Sequence, residues 1–88
     1  MLKLITYDLR APGRNYPAVY EKIKSFGPTI KILESTWLVR SDISCIAIRN
    51  ALLPVGDVND GFFVALLTDT AWNNLTIGND AAGKFIRG

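Results

Sequence analysis

The sequence predicts an α+β fold, and three observations carry that prediction. Short stretches are apolar on one or both faces at strand spacing. Two longer stretches repeat apolar residues at helical spacing. Breaks rich in Pro and Gly separate them in the order strand, helix, strand, strand, helix, strand. At 88 residues the chain is long enough for one domain with a thin core.

Each element has its own signal. Residues 2–9 read as a central strand, with Leu2 and Leu4 on one face and Ile5, Tyr7 and Leu9 on the other. Arg10-Ala11-Pro12-Gly13-Arg14-Asn15 is a loop. Asn15 is the expected helix cap, and Pro17 suits the first turn, where its missing N–H costs nothing. The helix runs to about Phe26, on a stripe of Tyr16, Val19, Tyr20, Ile23 and Phe26, and Gly27-Pro28 stops it. Residues 29–40 form two strands in a tight hairpin, broken near Glu34-Ser35. Asp42 or Ser44 caps a second helix over about residues 45–53, with Cys45, Ile48, Ala51 and Leu52 inward. Residues 56–61 make a turn and residues 62–68 a further two-sided apolar strand. One helical turn is expected over residues 71–75, with Trp72 anchoring the chain end against the sheet or a partner.

That order is the ferredoxin-like βαββαβ pattern, a four-stranded antiparallel sheet with both helices on one face. The domain is expected over residues 1–75. Residues 76–88 are expected as a tail, flexible or adding a short strand near Lys84-Phe85-Ile86 at a dimer interface.

Hydrophobic residues make up 49% of the chain, a large share for so small an interior. The strands are apolar on the face the helices do not cover. A second copy of the sheet is the simplest cover, so a homodimer is expected. The net charge of +2 is too mild to announce a polyanion partner by itself. The N-terminus meets a charge at Lys3 and carries no long apolar run. No signal peptide or membrane span is expected, and a cytoplasmic location is. One cysteine, Cys45, gives no intramolecular disulfide.

Absences prune the chemistry. Without histidine there is no Ser-His-Asp or Cys-His nucleophile and no imidazole metal site. Residues 78–84 fail the phosphate-loop pattern. Residues 57–61 fail the calcium-loop pattern and read as an ordinary Asn-Asp-Gly turn. What remains is Asp8 at a strand end, followed by Arg10 and Arg14. A carboxylate can hold Mg²⁺ or Mn²⁺ with waters, and arginine forks suit phosphate. A twofold axis bringing two copies of Asp8 together would let one metal bridge them and activate water for phosphodiester attack. The plainer alternative is that Asp8 pairs with Arg10 or accepts loop N–H bonds.

Several motifs carry a resemblance. Tyr7-Asp8-Leu9, Pro12-Gly13-Arg14-Asn15-Tyr16 and the segment from Leu33 to Val39 (Leu-Glu-Ser-Thr-Trp-Leu-Val) are similar to those of SinR-like proteins. These are short relatives of the CRISPR-associated Cas-two family, and the toxin-type ribonuclease VapD is a related dimeric fold. The resemblance spans about residues 1–75. It implies a homodimer, and in nuclease-active Cas-two members an Asp matching Asp8 binds a divalent metal. The chain departs from that pattern in having no second acid in the loop.

Two readings follow. One is a homodimeric nucleic-acid-associated binding or scaffold protein, with Arg10 and Arg14 as the RNA or DNA contacts. The alternative is a metal-dependent endonuclease in which Asp8 of both protomers holds Mg²⁺ or Mn²⁺ as the catalytic metal ligand.

Overall fold

The computed structural model describes residues 1–11 and 16–88. The cap expected at Asn15 and the phosphate contact expected at Arg14 lie outside them. The element order is β1 (Leu2–Asp8), α1 (Pro17–Lys24), β2 (Thr29–Leu33), β3 (Thr36–Arg40), α2 (Cys45–Leu52), β4 (Gly61–Leu66) and α3 (Asn79–Arg87), with a 3₁₀ turn at Leu53–Val55 after α2. The strands form one sheet in the order β2-β3-β1-β4, and every neighbouring pair is antiparallel. The fold is therefore α+β, and its strand order fits the ferredoxin-like pattern.

Alternation along β1 sorts the sheet into two faces. Ile5 and Tyr7 face α1 and α2 and join Trp37, Val39, Val19, Ile23, Ile48 and Leu52 in one buried cluster. Full burial of a side chain such as Ile5 is worth about 1.5–3 kcal/mol, so this cluster is the main source of stability. Within it, Trp37 Nε1 donates to Tyr7 Oη at 3.0 Å, and Tyr20 stacks on Trp37 with ring centroids 6.2 Å apart. The indole N–H thus enters the core with a partner, which burial demands. Lys3 is buried on this face too. Its ammonium donates to the carbonyls of Ser41 at 2.9 Å and Ile43 at 2.8 Å, tying β1 to the loop before α2.

Local chemistry sets the boundaries. Ser44 caps α2, its hydroxyl accepting from the Ala47 N–H at 3.1 Å. The α1 helix ends at Lys24, short of the expected Phe26. Gly27 follows at φ 148°, and a Cβ there would collide with the Arg40 carbonyl. Only glycine fits that conformation and that approach.

The C-terminal segment departs from expectation. Residues 79–87 form α3, a third helix, where a flexible tail or a short strand was expected. The single helical turn expected over residues 71–75 is absent, and Asn74 takes φ 59°. The segment folds back over the second face of the sheet. Trp72, Leu75 and Ile86 surround the same cavity as Leu4, Ile32 and Leu38. Trp72 Nε1 donates to the Asn79 carbonyl at 3.3 Å. The Arg40 guanidinium donates to the carbonyls of Phe85 and Ile86 at the end of α3 and lies 5.5 Å from the Phe85 ring centroid. The cover that a second copy was expected to provide is supplied here by the chain itself. It leaves one end of the face open. Across that end Leu33, Thr36, Thr6 and Phe63 occupy one row, and Leu33 and Phe63 are exposed.

Candidate functional site

The open end of the sheet is where Asp8 emerges. Asp8 is opposite Gly61 of β4, two residues beyond Thr6 on the same face. Thr6 Oγ1 donates to the Ser35 carbonyl at 3.1 Å and lies 3.0 Å from Thr36 Oγ1. These bonds pin the strand ends beneath the site. A shallow cleft lined by Thr6, Tyr7, Asp8, Gly61, Phe62 and Phe63 opens beside the carboxylate.

The structure brings Asp8 and Arg10 together. Arg10 Nε donates to Asp8 Oδ2 at 2.8 Å, and both side chains are more than half exposed. Arg10 Nη1 donates to the Asn59 carbonyl at 3.1 Å. The guanidinium lies over Gly61, where a Cβ would stand in ordinary contact 3.4 Å from Arg10 Nη2. The guanidinium is therefore held flat against the sheet end by two acceptors, with Nη2 over Gly61.

Asp60, which the sequence marks only as part of an Asn-Asp-Gly turn, joins the two loops. Its Oδ1 accepts from the Arg10 backbone N–H at 2.8 Å and from the Tyr16 hydroxyl at 3.1 Å. Its Oδ2 accepts from the Asp57 N–H at 2.7 Å. Asp57 closes the turn by accepting from the Asn59 N–H at 3.0 Å. Tyr16 is also held to Ala11, whose N–H donates to its hydroxyl at 2.8 Å. Partial desolvation pushes the Tyr16 phenol above its ordinary range. Asp60 and Asp57 add to that, against the Ala11 backbone bond. Tyr16 is thus a neutral donor at physiological pH. The only advance sign of this arrangement was the pair of acids, Asp57 and Asp60, flanking the turn.

Among the described residues no three His, Cys, Asp or Glu side chains cluster closely enough to hold a metal ion. Asp8 stands at the strand end already engaged by the Arg10 cation. Cys45 stands at the first position of α2, away from these groups, as a free thiol. No helix among the described residues is long and apolar enough to cross a membrane.

Exposed beside the ion pair is Phe63. It lies two residues along the same sheet face from Gly61, about 7 Å by strand rise, and is 63% exposed. A fixed guanidinium and an unburied aromatic ring thus share one polar, hydroxyl-lined surface. No protein-family model matches the chain, and no curated protein or solved structure matches it.

Proposed function

We propose that the chain is a homodimeric nucleic-acid-associated binding or scaffold domain that uses the open end of its sheet. The observation that carries this reading is the placement of Arg10 beside Phe63. A guanidinium suits a phosphate oxygen, and an exposed ring offers a stacking surface to an unpaired base. Phe63 stands on β4, and Arg10, just past β1, is held against the sheet end by Asp8 and the Asn59 carbonyl, so less ordering entropy opposes binding. Thr6 and Thr36 add hydroxyls to the same row as Phe63. Single-stranded RNA or DNA is the ligand class, because a base must be splayed out to reach the ring. The likeness of Tyr7-Asp8-Leu9 and its neighbours to SinR-like and Cas-two sequences supports the same reading.

Asp8 serves here as the acceptor that orients Arg10. The test is to incubate the protein with labelled single-stranded RNA and DNA, with and without Mn²⁺. Binding is followed by anisotropy and chain length by gel. Salt-sensitive binding with intact oligonucleotide is expected. Cleavage that requires Mn²⁺ and is abolished in Asp8→Ala would overturn the scaffold reading in favour of an endonuclease. Absence of binding at about 50 mM salt would overturn both.

A further inference from the structure

The two edges of the sheet are built differently. At one edge, β2 is five residues long, carries exposed Lys31 in its middle and is irregular between Lys31 and Leu33. Charge, shortness and a bulge are the devices that stop an edge from pairing with another chain. At the other edge, β4 is Gly-Phe-Phe-Val-Ala-Leu, six residues without a charge, a proline or a register shift. Its Phe63 and Leu66 are exposed, and no described strand pairs with its outer side.

Which backbone groups point outward follows from the ladder. The Leu67 N–H donates to the Leu2 carbonyl, so Leu2 and Leu67 are a hydrogen-bonded pair. Alternation makes Leu4 with Ala65, Thr6 with Phe63 and Asp8 with Gly61 the other bonded pairs. The N–H and C=O groups of Phe62, Val64 and Leu66 therefore face away from β1.

We infer that the outer edge of β4 docks antiparallel against β4 of a second copy of this chain, on a twofold axis at Val64. This edge is the surface of the homodimer proposed above and rests on that reading. An antiparallel pair of identical strands is self-complementary, as a twofold interface requires. Centring on Val64 uses all the outward groups and forms about six backbone hydrogen bonds. No like charges meet across that axis, because β4 is uncharged along its whole length. The four-stranded sheets merge into one, with both Arg10–Phe63 surfaces on the same face. The two Gly61 residues, and with them the two Asp8 carboxylates, stand about 20 Å apart along the strands. In this dimer Asp8 cannot share a metal with its copy.

The test combines solution mass with amide hydrogen exchange on the whole chain. A dimer mass at micromolar concentration is expected, with the amides of Phe62, Val64 and Leu66 gaining protection as concentration rises. Those of Phe63 and Ala65 are protected at every concentration. Leu66→Pro removes an outward N–H without touching the β1 ladder, and should weaken dimerisation about tenfold or more with an unchanged circular dichroism spectrum. A dimer whose Phe62, Val64 and Leu66 amides exchange fast, or that is indifferent to Leu66→Pro, overturns the β4 edge and leaves the dimer standing. A monomer at all concentrations overturns both.

Discussion

Asp8 and Arg10 form an exposed ion pair at the carboxyl end of β1, with Arg10 Nε 2.8 Å from Asp8 Oδ2. Through this contact Asp8 fixes the pose of the guanidinium. Exposed pairs contribute only about 0–1 kcal/mol to stability, so the consequence of the contact lies in the pose of Arg10. Asp8→Asn keeps an acceptor for Nε and removes the negative charge. Oligonucleotide affinity should hold or rise, measured by anisotropy, with a melting temperature little changed. A metal-ligand role for Asp8 predicts loss instead.

Asp60 holds the Arg10 backbone, Tyr16 and the Asp57 turn through its two carboxylate oxygens. Asp60→Ala removes the acceptor of the Arg10 and Asp57 N–H groups, while the Tyr16 hydroxyl keeps the Ala11 carbonyl at 3.1 Å, at a cost of about 1–2 kcal/mol. Denaturant unfolding should show that loss, and oligonucleotide binding should weaken along with it because the Arg10 loop is released.

Tyr16 and Tyr7 are both pushed above the ordinary phenol value of 10.0, first by desolvation. A phenol that holds its proton more tightly when folded stabilises the fold below the unfolded pKa. That contribution is lost as pH rises through the higher folded value. Stability should therefore fall above about pH 10, and a Tyr16→Phe variant should show a shallower fall. Chemical denaturation across an alkaline pH series measures it.

Gly27 at φ 148° with its α-carbon against the Arg40 carbonyl admits no side chain. Gly27→Ala should cost at least about 1–3 kcal/mol. Ile48→Ala, which empties a fully buried site between α2 and the sheet, should cost about 2–5 kcal/mol. Val58→Ala, at a position that is 95% exposed, should leave the melting temperature unchanged and serves as the control.

The sheet and its two covering helices were legible because their periodicities are strong. Ile5, Tyr7 and Leu9 recur at every second position, and Val19 and Ile23 repeat at helical spacing. The third helix was hidden by composition. It starts after Gly78 and holds Gly83 in its interior, and glycine weakens helix propensity. The structure shows why glycine is there: a Cβ would come within 3.3 Å of Trp72 Cζ2. Apolar residues on both faces of the strands were also legible. That the chain's own C-terminal segment covers Leu4 and Leu38 was not, since a covered face reads the same whichever chain covers it. At the site, Asp8 beside Arg10 was visible as spacing. Asp60 was not, because its reach to Arg10 and Tyr16 exists only once β4 pairs with β1.

Arg10 and Phe63 are proposed as one nucleic-acid surface, and the most direct test of that is a salt series. Affinity for a labelled single-stranded oligonucleotide would be measured for the native chain, Arg10→Ala and Phe63→Ala. The predicted result is a falling affinity with salt, a shallower salt slope for Arg10→Ala by about one phosphate contact, and for Phe63→Ala a loss of about 1–3 kcal/mol with the slope unchanged. Binding that is indifferent to both substitutions, or none at low salt, would contradict it.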